Sequence, residues 1–93
     1  MRVEWDEKKN LTNKRKHGVS FDEARTVFFD EDGILIPDPD HSDTEERFVI
    51  IGRSSQFRIL IVCHCYREND EVIRLISARK AISLERNQYE NKR

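Results

Sequence analysis

The alternation of apolar and polar positions divides the chain into a short strand, two helices, a strand-rich centre and a last helix. MRVEW alternates and reads as a short strand. Asp6 is then a good N-cap for a helix over EKKNLTNKRKH, which ends at Gly18, a residue suited to the left-handed position after a helix. Apart from Trp5 at its start and Leu11, this helix offers almost no apolar side chain, so most of its surface is expected to meet water or a partner. Ser20 followed by Glu23 forms a capping box, with Val19 and Ala24 as a weak staple. A second helix is therefore expected from Phe21, its Phe21, Ala24, Val27 and Phe28 facing a sheet, and stopping near Asp30 where EDG supplies a turn.

From Gly33 onward the pattern becomes β. GILIP reads as a short strand closed by Pro37, and DPDHSDTEE as a polar loop. ERFVIIGRS, FRILIVCHCYRE and EVIRLISARKA are three β-branched-rich runs joined by the hairpin-length segments SSQ and END. In the middle run Phe57, Ile59, Ile61, Cys63 and Cys65 share one face. Arg58, Leu60, Val62, His64 and Tyr66 share the other, which reads either as the floor of a binding cleft or as the partly wet side of an antiparallel sheet. Residues 83–92 form a last helix, with Leu84 as its main apolar contact and Glu85, Arg86 and Tyr89 within reach of one another. The expected class is α+β: an N-terminal strand, two helices, an antiparallel meander and a C-terminal helix, in one domain over residues 1–93.

Size and charge narrow the picture. A chain of 93 residues buries only about 60% of its unfolded surface, so a thin core and a working partner are expected. No run reaches the roughly 18 apolar residues of a membrane helix. The N-terminus carries charge where a signal peptide is apolar, so a cytoplasmic protein is expected. Cys63 and Cys65, two apart in a strand-like run, are poor disulfide partners and read as reduced thiols. The net charge of −1 hides a segregation: residues 1–46 carry seven Lys/Arg against thirteen Asp/Glu, and residues 47–93 ten against five. Residues 8–17 hold five Lys/Arg and no acid. Two basic zones thus flank an acidic stretch, a pattern that suits a protein meeting a polyanion through one face, or one whose halves pair internally.

Few chemistries fit. Adjacent strand residues point to opposite faces, so His64 cannot join Cys63 and Cys65 on one ion without a bulge, and His41 lies in a distant loop. Neither a metal nor another cofactor is expected. There is no nucleophile elbow, no oriented Cys/His pair, and with three glycines no glycine-rich phosphate loop. Cationic chemistry on RNA phosphodiesters remains: a base for the 2′-hydroxyl, cations for the charged transition state and an acid for the 5′-oxygen. Lys16 and His17 at the end of the first helix, Glu46 and Arg47 at a strand start, and Arg79 and Lys80 at the end of the last strand supply these groups. Each also has a structural reading. Lys14, Arg15, Lys16 and His17 sit where cations favour a helix C-terminus, and His17 either caps a carbonyl or moves a proton. Glu46 and Arg47 are either a strand-edge pair or part of a site. Trp5 is either core or a stacking platform. Arg79 follows the small Ser77 and Ala78, which let its side chain lie across a sheet.

The segments WDEKKNLTNKRKHGVSFDEA, DPDHSDTEERFVIIGRS and RLISARKAISLERNQYE, in this order and spacing, resemble the BrnT family of type II toxins over residues 5–90. The resemblance implies a RelE-like ribonuclease fold, RNA cleavage that arrests translation, and neutralisation by a BrnA-type antitoxin. That antitoxin's ribbon-helix-helix region would bind operator DNA, so DNA is reached only through it. Family positions fall on Trp5, Lys16, His17 and Gly18, then on Glu46, Arg47, Phe48, Gly52 and Arg53, then on Ser77, Ala78, Arg79, Glu85, Arg86 and Tyr89. The expected catalytic set is His17, Glu46, Arg47 and Arg79, acting without metal, with Lys16, Arg53, Lys80, Arg86 and Tyr89 binding RNA. Arg79 and Arg47 would hold the scissile phosphate, His17 or Glu46 would act as base, and Lys16 or Tyr89 would assist the leaving group or bind backbone. The stretch CHCY departs from the family pattern, so His64 and the cysteines inherit no role. A reading of a different class is a non-catalytic binding module that acts only within an autorepressing toxin–antitoxin complex. A metal or redox protein built on Cys63 and Cys65 is a third.

Overall fold

The computed structural model describes residues 1–38 and 45–91. Strand β1 (Arg2–Glu4) leads into helix α1 (Glu7–His17), then α2 (Phe21–Ala24), which tightens into a 3₁₀ turn over Arg25–Phe29. Strands β2 (Ile34–Pro37), β3 (Phe48–Arg53), β4 (Ile59–Arg67) and β5 (Val72–Lys80) follow, and helix α3 (Ser83–Glu90) ends the described chain. Most of the polar loop expected between Pro37 and Arg47, with His41, lies outside the described residues, as does Lys92.

Local signals in the sequence account for the helix ends. The Asp6 carboxylate accepts from Lys8 N–H, and Gly18 takes φ 70° while its N–H donates to Lys14 O. Ser20 Oγ accepts from Glu23 N–H. The second helix ends near Asp30 as the sequence suggests, but its last five residues form 3₁₀ rather than α structure.

The sheet is mixed. Its order is β1-β5-β4-β3-β2. Strands β2 to β5 form the expected antiparallel meander, but β1 joins the outer edge of β5 in parallel, Val3 opposite Ile73. This corrects the expectation of a purely antiparallel sheet. The α1 crossover, which covers one face, makes the parallel return possible.

Two apolar clusters lie on opposite faces. On the helix side Phe21, Ala24 and Val27 pack on Ile50, Leu60, Val62, Leu75 and Ala78. Gly52 permits this approach, because a Cβ there would stand 3.1 Å from Val27 Cβ. The β4 face with polar ends is therefore core, neither cleft floor nor wet side. Arg58 at one end bonds the buried Glu23, and His64 at the other is enclosed by aromatic rings. On the outer face Tyr89 of α3 and Ala81 cover Ile51, Ile59 and Ile61. Among the described residues, α3 and Ala81 are what pack on that face.

Helix α1 corrects another expectation. Leu11 is exposed, and the buried side chains are Asn10 and Asn13. Asn13 donates to Val19 O at 2.9 Å and Ala78 O at 2.8 Å and accepts from Ala78 N at 3.1 Å. Asn10 Oδ1 accepts from Phe21 N at 2.8 Å. The β1–β5 pairing stops at Arg74, so Asn13 serves as a substitute strand for the open edge of β5.

Candidate functional site

An irregularity in β5 assembles the site. Cys63 pairs with Ser77 and His64 with Leu75, so Ile76 is an extra residue, a β-bulge. Strict alternation would put Arg79 on the same face as Leu75, in the core. The bulge shifts the phase, so that Leu75 and Ala78 both reach the core while Ser77 and Arg79 line the outer face.

That face carries a groove of about 240 Å³ lined by Asp38, Arg47, Val49, Ile61, Cys63, Ile76, Ser77 and Arg79. Arg47, just before β3, and Arg79, on β5, thus come together on one face, from the two strands that flank β4. The start of β3 is tied to the end of β2 by Asp38 N–H donating to Arg47 O at 2.9 Å. Over the β5 edge a second groove is lined by Lys8, Lys9, Thr12, Asn13, Lys16, His17, Ile76 and Ser77. Ile76 and Ser77 belong to both grooves. A track with cationic walls therefore runs from the last turn of α1, over the bulge, to the two arginines.

Arg79 is held in place. Its Nη1 and Nη2 donate to the two oxygens of Glu85 at 2.8 Å each. The guanidinium pulls the Glu85 carboxyl below the usual carboxylate range, and Glu85 in turn holds Arg79 more firmly protonated. Glu85 Oε1 also accepts Ile82 N–H at 2.9 Å, which fixes the start of α3. Nη1 also donates to Lys80 O at 3.4 Å, so Nε and the second Nη2 N–H remain to face an anion. Cys63 lies between the charges. Burial pushes its thiol pKa up, Asp38 adds to this and Arg47 opposes it.

The other expected residues lie elsewhere. Glu46, next to Arg47 but of opposite strand parity, lines a separate recess with Met1, Leu35, Glu45, Phe48, Tyr66 and Asp70. Lys80, exposed, lies on the other side of the sheet from Arg79, where its charge helps lower the Glu23 pKa after the larger effect of Arg58. Arg53 lies with its guanidinium carbon 5.8 Å from the Tyr89 ring centroid. Tyr89 is buried and donates to Asp30 Oδ2 at 2.6 Å. Burial and then Asp30 push its pKa up to about 12. Arg86 donates to Ala81 O at 3.0 Å and Ser83 Oγ at 3.1 Å, supporting the start of α3. Trp5 packs edge-on to Phe21 at 6.1 Å, on the core side.

Sequence reasoning overlooked Asp38 and the wall made by Ile76. Asp38 gave a weak signal as the polar residue directly after a strand-ending proline. The bulge gave none, since RLISARK reads as an uninterrupted strand.

Comparison with known proteins identifies the family and a similar fold. Residues 5–85 match the family described as the ribonuclease toxin, BrnT, of type II toxin–antitoxin systems. The crystal structure of the Brucella abortus ribonuclease toxin, BrnT, is similar, with a TM-score of 0.69 and 27% identity, over 89% of this chain and 99% of that one. No curated protein matches. The chain belongs to the BrnT family of ribonuclease toxins of type II toxin–antitoxin systems.

Proposed function

We propose that this protein is a metal-independent endoribonuclease on a RelE-like scaffold, which arrests translation in the cytoplasm by cutting RNA and is silenced by a BrnA-type antitoxin. Operator DNA is met only through that antitoxin. The observation that carries the reading is the convergence of Arg47 and Arg79 in one groove, continuous over the bulge with Lys16 and His17.

In this reading a single RNA strand crosses the β5 edge. Arg47 and Arg79 take the scissile phosphate and the charge that grows on it as the 2′-oxygen attacks phosphorus. His17 takes the 2′-hydroxyl proton, the P–O5′ bond breaks, and Lys16 or a water shared with it supplies the proton to the leaving 5′-oxygen. The products are a 2′,3′-cyclic phosphate and a free 5′-hydroxyl. Glu46 faces another recess, so His17 is the better-placed base. Arg53, Lys80, Arg86 and Tyr89 act in this reading through the fold or at the margin of the bound strand.

The test is incubation of the purified protein with RNA in EDTA. Cleavage should persist, and Arg79→Ala or Arg47→Ala should each lower the rate on the order of 10²- to 10³-fold, with folding and antitoxin binding retained. Intact RNA with the unaltered protein would favour the non-catalytic binding module. A fully active Arg79→Ala protein would overturn the site.

A further inference from the structure

Beyond Arg79 the outer face continues into a second recess of about 330 Å³. Pro37, Val49, Ile51 and Ile61 floor it, and Glu85 and Gln88 of α3 stand at its rim. We propose that this recess is a nucleobase subsite for the base flanking the phosphate on Arg47 and Arg79, with adenine its preferred occupant and Gln88 the residue that sets the preference. The inference rests on the ribonuclease reading above.

Three observations lead there. The recess and the arginine groove share Asp38, Val49, Ile61 and Arg79, so the phosphate and base of one nucleotide can lie on two sides of a single guanidinium. The floor is apolar, closed at Ile51 and Ile61 and accessible at its outer end, with Pro37 exposed and Ile36 beside it 41% exposed. Single-stranded RNA offers flat bases that cover such a surface and are then read along their edges. The rim selects a neutral group over a second phosphate. Arg79 is its one cation, and Glu85, which Arg79 pairs, adds a negative charge.

The Gln88 side chain is exposed and makes no hydrogen bond within the described residues. Its amide offers a donor and an acceptor side by side, which match the N7 acceptor and the N6 amino donor of adenine. Glu85 lies one turn earlier with both oxygens already committed to Arg79, so it positions the arginine and leaves the reading of the base to Gln88.

The experiment maps the cut sites of the full-length protein on a long RNA of mixed sequence. Cuts should cluster beside adenine. Gln88→Ala should weaken that preference by roughly 5- to 150-fold. Gln88→Glu, which only accepts, should move the preference toward cytosine, whose amino group donates. Arg79→Ala should suppress cuts at all bases alike. An unaltered cut pattern in both Gln88 variants, their folding verified by circular dichroism, overturns the subsite and leaves the ribonuclease reading standing. Cuts by the unaltered protein that ignore adenine do the same. No cleavage of any RNA by the unaltered protein overturns both.

Discussion

With its ring closed off from water among Phe28, Phe48 and Tyr66, His64 illustrates how burial decides the role of a titratable residue. Its Nδ1 lies 3.2 Å from Val62 O and its Nε2 3.3 Å from the Tyr66 hydroxyl. Burial lowers its pKa from the ordinary 6.5, a shift that the Val62 carbonyl only partly offsets. The folded protein therefore keeps the ring neutral at pH values where the unfolded chain protonates it. The stability this confers is complete above pH 6.5 and is lost as pH falls toward the lower folded value, at no more than about 1.4 kcal/mol per pH unit. Urea unfolding at pH 7.5 and 5.5 should show this loss, and His64→Leu should reduce it. An equal loss in the variant would assign the pH dependence to other groups. The same logic explains which site residues were legible. His17, Arg47 and Arg79 stood out because strongly polar side chains near element ends favour the surface. Glu46 stood out equally, yet one step of strand parity separates it from Arg47, and that separation follows from register, which charge alone does not reveal.

At the scale of elements, the helix starts and the meander followed from local chemistry, whereas the attachments that hold them together did not. Helix α1 lacks an apolar stripe, and the natural expectation was that Leu11 anchors it. Instead Asn13 pairs with both backbone groups of Ala78 and with Val19 O, and Asn10 takes Phe21 N–H. Asparagine at a helix centre is unfavourable by propensity, so two of them three residues apart was the available clue. Long-range backbone partners of this kind have no periodicity to reveal them. The bulge at Ile76 and the parallel placement of β1 escaped for the same reason. Asn13→Ala leaves an N–H and two carbonyls without their partners and should cost about 2–3 kcal/mol. Leu11→Ala should stay within about 0.5 kcal/mol. Denaturant titration at constant slope distinguishes them, and equal costs would mean that α1 docks through its apolar residue after all.

Across the whole molecule, the segregated charge acquires a direction. Glu45, Glu46 and Asp70 gather around one recess, while Lys16, His17, Arg47 and Arg79 line the track over β5. A polyanion is repelled from the first region and drawn to the second, so a protein of net charge −1 can hold RNA on a single face. This has a thermodynamic signature. Each phosphate neutralised on a single strand contributes about −0.7 to the slope of log affinity against log salt. With Arg47 and Arg79 on one phosphate and Lys16 on its neighbour, the expected slope is about −1.4 for a 2′-O-methyl RNA, which lacks the attacking hydroxyl and stays intact. Fluorescence anisotropy over a salt series measures it. Lys16→Ala should make the slope shallower by about 0.7, and Glu46→Gln should leave it unchanged, because its recess opens on the other side of the sheet. A slope near zero, or one that Glu46→Gln alters as much as Lys16→Ala does, would place RNA on a different face from the one the bulge creates.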